Sequence, residues 1–297
     1  VAGTPAAGHR RAVLAMVATT LLWSMAGVVT RHLHTGDGMH LVFWRSSFTA
    51  LSIFILLLAR RGAAGSWADL QRGGPMLWVS ALCWAGMYTA FMLALSLLSV
   101  AQTLVLESLS PLFAAVLGWL VLRQRLPART WAATALAMLG MAWMFGHGTG
   151  MRMPLEGLLV GLVVPLASAA NWSALRRAGA QVPMQAAPLL GALLSALAVC
   201  VPAWPVRVDA HDLLLLAFLG MFQLALPGVL AVWAAQRLAP AEVGLLGLLE
   251  AVFGTLWAWL GAGETPAAAT LVGGAVVLLA LVGNEVLGWW QGPRQRA

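Results

Sequence analysis

Three ionisable side chains sit where ionisable side chains are costly. Arg45, Glu107 and Glu250 each lie inside a long apolar run of the sequence. At the centre of a bilayer such a group costs about 2.5–3.5 kcal/mol on insertion scales, so each requires a compensating role. A buried carboxylate can hold a substrate ammonium group or carry a coupling proton. It can equally pair with Arg45 or a helix end and lock a bundle. Thr103, Glu107, Ser110 and Ala114 follow spacings of four, three and four, one face of a helix. Gly247, Glu250 and Gly254 form a similar small or polar face later in the chain. Arg45 falls about two turns from the outer end of its run, where a long side chain can snorkel to water, so a structural role is expected for it.

Aromatic residues give a second signal. The chain has 15 Trp but a single Tyr. Trp44, Trp67, Trp131, Trp204, Trp289 and Trp290 fall near the ends of apolar runs, as an interfacial belt requires. Trp84, Tyr88 and Phe91 instead repeat at four and three near the middle of a run, and Trp23 and Trp172, the latter preceded by Asn171, occupy related positions in two others. An aromatic wall with a few polar groups suits a flat or apolar metabolite; the same stripe can serve helix packing alone. The substrate-contact set expected from the sequence is therefore Trp23, Trp84, Tyr88, Phe91, Thr103, Glu107, Ser110, Asn171, Trp172 and Glu250. Pro111, Pro165 and Pro227 each remove a helical N–H and could be hinges or ordinary packing kinks. His32, His34, Asp37 and His40 cluster without a recognised ligand spacing and read as a loop. Cys83 and Cys200 read as buried small apolar residues, so neither metal nor cofactor is expected. No phosphate-binding glycine loop, His-Glu-x-x-His or serine nucleophile elbow occurs.

The elements that position these residues follow from composition. Of 297 residues, 61% are hydrophobic and 9% charged; soluble domains carry about 25% charged residues. Apolar runs fall near 12–30, 40–59, 75–98, 100–122, 129–146, 156–175, 184–204, 211–236, 242–261 and 267–288, most of them separated by Arg, Pro or Gly. Each is close to the roughly 20 residues that cross a bilayer as a helix. The stretch between Pro75 and Leu122 is too long for one span and needs a tight turn near Leu97-Leu98-Ser99-Val100. The first run outlasts a signal peptide and reads as a retained span. An all-α membrane protein of ten transmembrane helices results.

All 17 basic residues are arginines, and they sort by loop. With both termini cytoplasmic, thirteen fall inside (Arg10, Arg11, Arg60, Arg61, Arg72, Arg123, Arg125, Arg129, Arg176, Arg177, Arg237, Arg294, Arg296). Only Arg31, Arg152 and Arg207 fall outside. Short loops obey this bias, which would be scrambled by nine or eleven spans. Scattered arginines on a membrane protein also argue against nucleic acid as a partner. A shift of 140 places Ala101 on Ala241, Leu109 on Leu249, Phe113 on Phe253, Trp119-Leu120 on Trp259-Leu260 and Thr130 on Thr270. Residues 1–150 and 151–297 thus read as two five-helix repeats, and an odd number of spans inverts the second against the first. Gly157 and Gly161 form a Gly-x-x-x-Gly pair suited to close helix packing.

Leu22-Trp23-Ser24, Arg45, Leu109-Ser110-Pro111-Leu112-Phe113 through Trp119-Leu120, and Leu249-Glu250-Ala251-Val252-Phe253 through Gly263-Glu264-Thr265 carry a resemblance covering nearly the whole chain. It resembles the ten-helix, EamA-like branch of the drug/metabolite transporter superfamily, with the aromatic amino-acid exporters as one possible branch. The resemblance implies export of amino acids or other metabolites. It also implies a Glu closing the fourth and ninth helices; Glu264 fits, whereas Gln124 departs from the pattern.

The function expected is a secondary transporter in a bacterial-type inner membrane, monomeric or weakly oligomeric. It would export small amphipathic metabolites, foremost neutral or aromatic amino acids, by alternating access about a midplane cavity. A lipophilic-cation efflux transporter is the alternative, and a membrane-embedded enzyme acting on lipid a more distant one. With no lysine and one arginine within a span, phosphate-rich substrates are disfavoured.

Overall fold

In lipid a backbone amide finds no water, so an apolar segment satisfies its N–H and C=O groups within its own helix. The computed structural model describes residues 5–30, 32–98, 100–123, 126–146, 154–204, 208–262 and 268–291. Within these the chain forms only helices and their connections: α1 (Pro5–Trp23), α2 (Ala26–Thr30), α3 (Gly38–Leu97), α4 (Val100–Glu107), α5 (Ser110–Leu122), α6 (Ala128–Gly146), α7 (Leu155–Ala178), α8 (Ala187–Cys200), α9 (Ala210–Phe218), α10 (Leu226–Ala235), α11 (Pro240–Gly247), α12 (Leu249–Ala262) and α13 (Ala268–Gln291). Gly8–Thr30, Gly38–Leu97, Leu155–Ala178, Ala210–Ala235 and Pro240–Trp257 are each long and apolar enough to cross a membrane.

These helices make ten spans. α1 with α2 is the first, α3 contains the second and third, and α4 with α5 is the fourth. α6, α7 and α8 are the fifth to seventh. α9 and α10 share the eighth, α11 and α12 the ninth, and α13 is the tenth. They are built as two inverted five-helix repeats. α3 packs most extensively on α8 and α7, and α13 on α6.

Little hydrophobic drive exists between helices in lipid, so small residues decide where backbones approach. A Cβ on Gly191 would collide with Trp84 and with the backbone of Ala81, fixing α8 on α3. One on Gly140 would lie 2.9 Å from the Gly273 carbonyl, fixing α6 on α13. Gly157 and Gly161 do serve close packing: Leu98 and Leu106 occupy the space their missing side chains leave.

Two expectations require correction. The arginine-rich connection between the second and third spans is helical rather than loop. Its direction changes at Gly62 (φ 68°) and Gly74 (φ 58°), a left-handed conformation that glycine adopts without a Cβ clash. The fourth span is not one helix kinked at Pro111. It stops at Glu107 and restarts at Ser110, with Pro111 in the first turn of α5, where a missing N–H costs nothing. Before Pro227 the eighth span loosens into a π-helical segment, Leu219–Ala225, with the Leu226 N–H reaching the carbonyl of Met221 five residues back. Pro165, in contrast, lies inside the continuous α7. Of the expected belt tryptophans, Trp67, Trp131 and Trp204 are exposed. Trp44 instead packs between Phe43 and Phe48, and the side chains of Trp289 and Trp290 lie outside the described residues. So do Gln124, Glu264, Arg31, Arg152 and Arg207.

Candidate functional site

Four spans lose regular α-helical geometry at one place. α1 gives way to α2 at Ser24-Met25, and α4 to α5 at Ser108-Leu109. The π-helical turn occupies Leu219–Ala225, and α11 gives way to α12 at Leu248. Backbone freed at membrane depth survives where protein or a wet cavity satisfies it. All four irregularities border a single cavity, through Trp23, Ser108, Gln223 with Leu224, and Leu248. Its volume is about 90 Å³, well above the roughly 10–15 Å³ that a single water requires.

One wall is aromatic. Trp23 from the first span lies 6.3 Å from Trp84 of the third and 6.4 Å from Trp172 of the sixth, measured between ring centroids. Trp84 and Trp172 meet edge to face at 5.7 Å, and Tyr88 follows Trp84 at 5.3 Å. Phe91 extends this wall, and Met16, Met87 and Met141 complete the apolar lining with side chains that repack readily.

The other wall is polar. Glu107 closes α4, Ser110 opens α5, Gln223 sits in the π-helical turn and Glu250 lies in the first turn of α12; all four line the cavity. Arg45, 1% exposed, lines it too and donates from Nη2 to the Tyr88 carbonyl at 2.9 Å. The expectation that Arg45 snorkels is therefore overturned: its guanidinium is turned into the bundle. Glu250 lies within the electrostatic reach of both Glu107 and Arg45, yet among the described residues no carboxylate approaches Arg45 to ion-pair distance. Several buried polar atoms lack a hydrogen-bond partner among the described residues: Glu107 Oε2, Tyr88 Oη, Trp84 Nε1, Gln223 Oε1 and Arg45 Nε, all on cavity-lining residues. Unpaired polar atoms are costly in a dry interior. Their concentration here marks a space for water or a polar ligand.

Eight of the ten expected contact residues line this cavity: Trp23, Trp84, Tyr88, Phe91, Glu107, Ser110, Trp172 and Glu250. Thr103 is buried one turn away, and Asn171 is buried behind the aromatic wall, where its Oδ1 accepts from Ser80 at 2.5 Å. Gln223 lines the cavity as well, outside the set expected from the sequence. Its Nε2 donates to the Trp23 carbonyl at 3.2 Å and so ties the eighth span to the break in the first. The only sequence signal for it is an uncharged polar residue four positions before Pro227 in an apolar run.

The EamA-like transporter family model matches this chain twice, over residues 10–146 and 155–284. The chain belongs to the EamA-like transporter family. It is a multi-pass membrane transporter of the drug/metabolite transporter superfamily, and its family comprises transporters rather than enzymes. The two EamA-like matches correspond to the two repeats. No curated protein matches. A crystal structure described only as "Crystal structure of protein" superposes with a TM-score of 0.75 at 20% identity, covering 93% of this chain and 98% of that one. At that identity the likeness shows the shared fold.

Proposed function

We propose that this EamA-like protein is a secondary transporter that exports small neutral amino acids, aromatic ones foremost, across a bacterial-type inner membrane. The observation that supports it best is the charge arrangement of the cavity. One guanidinium, two carboxylates and a tryptophan wall meet in one small space, complementary to a zwitterion with an apolar side chain. Arg45 would hold the carboxylate, Glu107 the ammonium group, and Trp23, Trp84 and Trp172 the side chain. The broken spans would let one repeat rock against the other around this site. The arginine distribution supports cytoplasmic termini, with residues 1–150 and 151–297 as the moving halves of a monomer or weak oligomer.

The test is counterflow of radiolabelled aromatic and aliphatic amino acids into proteoliposomes, with empty liposomes as control. Saturable uptake abolished by Arg45→Gln is expected. A second reading, lipophilic-cation efflux, draws on the excess of two acids over one base and on the tryptophan cage, which suits an organic cation. Under that reading Arg45→Gln leaves or improves cation transport, because it removes a repelling charge. Amino-acid counterflow that is absent in folded protein would overturn the leading reading.

A further inference from the structure

Away from the cavity, the connection between the first and second spans meets the start of the eighth. Asp212, 1% exposed, accepts the backbone N–H groups of His34 (2.9 Å to Oδ1) and Thr35 (2.8 Å to Oδ2). Asp209 caps α9 by accepting the Asp212 N–H through Oδ1 at 2.7 Å, and its Oδ2 meets His34 Nδ1 at 2.8 Å. His211 Nδ1 lies 3.3 Å from Asp212 Oδ1, and His34 Nδ1 lies 4.0 Å from the same oxygen. The two imidazoles stack with centroids 4.6 Å apart and planes 18° apart, so both present Nδ1 toward one carboxylate. Two imidazole nitrogens and two carboxylate oxygens lie within 4.8 Å of one another.

We propose that His34, Asp209, His211 and Asp212 form a site for a divalent transition metal such as Zn²⁺, which would staple the first repeat to the second at one membrane face. Tetrahedral zinc with bonds of about 2.0–2.1 Å holds its donor atoms about 3.3–3.4 Å apart, so small side-chain rotations would close the observed 2.8–4.8 Å spread around one ion. The donor set is the right one: imidazole nitrogen and carboxylate oxygen suit zinc and its neighbours, whereas calcium and magnesium prefer all-oxygen shells. Asp212 is oriented in advance by the two backbone N–H groups, so the ion would not have to order it. The other three ligands are exposed, leaving a path for entry and room for water as a further ligand. The two repeats contribute one and three ligands respectively, which makes the proposed staple a link across the halves and not a feature of either alone.

Zinc chloride titrated calorimetrically into the detergent-solubilised full chain tests this. One zinc per chain is expected, with a melting temperature raised by about 5 °C or more at saturation. His34→Ala and His211→Ala remove exposed rings and should fold normally, yet each should weaken binding at least about tenfold. His32→Ala and His40→Ala, outside the site, should leave binding unchanged. No binding at about 100 μM zinc by folded protein would overturn the proposal, as would binding equally strong in the His34→Ala/His211→Ala double variant.

Discussion

The fourth and ninth spans occupy equivalent places in the two repeats and break at equivalent residues. Under the shift of 140 that aligns the halves, Ser108-Leu109 between α4 and α5 falls on Leu248-Leu249 at the start of α12. Their acids do not follow that equivalence. Glu107 is the last residue of α4, whereas Glu250 lies in the first turn of α12. A helix carries partial positive charge at its N-terminus and partial negative charge at its C-terminus, worth about 0.3–1 kcal/mol each to a charge nearby. Glu250 therefore gains from its own helix and from Arg45, against the repulsion of Glu107. Glu107 sits at the unfavourable end of α4, with Oε2 unpartnered among the described residues. The two halves share a backbone device but set their carboxylates at opposite helix ends, and on the proposed reading Glu107 is the acid that binds the substrate cation.

The sharpest way to break this comparison is to neutralise each acid in turn. Glu107→Gln should reduce counterflow about 10–150-fold, the worth of one hydrogen bond to a charged group at about 1.5–3 kcal/mol. Glu250→Gln should cost several-fold less. Equal losses would show that the opposed helix ends do not matter. Next in size is relocation of the acid. A Cβ on Gly247, the repeat counterpart of Glu107, meets nothing within 4 Å, so Glu107→Gln combined with Gly247→Glu should recover about tenfold of the lost rate. Failure to recover would tie the cation site to the first repeat alone.

Smaller effects concern packing around the ninth span. A Cβ on Gly244 would lie 2.9 Å from the Cα of Pro111, backbone that cannot turn aside. Gly244→Ala should destabilise by about 1–3 kcal/mol and lower the melting temperature by several degrees. Gly247→Ala should leave the melting temperature unchanged while narrowing the cavity it lines, which a shift in substrate preference would reveal. The smallest change expected is for Pro111→Ala. Because Pro111 opens a helix and does not kink one, restoring its N–H should alter stability by no more than about 0.5 kcal/mol. A large change in stability would mean that the proline itself creates the break.

Much of the candidate site was legible because lipid makes polar residues conspicuous. Glu107 and Glu250 stand out in apolar runs, and the spacing of Trp84, Tyr88 and Phe91 places them on one stripe of a helix. The distance of Arg45 from a helix end suggests snorkelling, whereas its guanidinium is buried and bonded to the Tyr88 carbonyl. The breaks at Ser108-Leu109 and Leu248 left no clear local sign: the first was masked by Pro111, which suggests a kink, and the second follows glycine and lies among leucines. Thr103 and Asn171 carry the right chemistry one layer too far from the cavity.

By itself the sequence determined the membrane, the ten spans and the repeat. These follow from hydropathy and length, which are local or periodic properties of the chain. Only the tertiary structure decided that Trp23, Trp84 and Trp172, from three spans, form one wall, and that four breaks meet at one cavity. It alone brought His34 to Asp209, His211 and Asp212, more than 170 residues away. The physical reason is that helix packing in lipid is set by small residues and shape, as where Gly191 meets Trp84, rather than by any hydrophobic pattern readable along one strand of sequence.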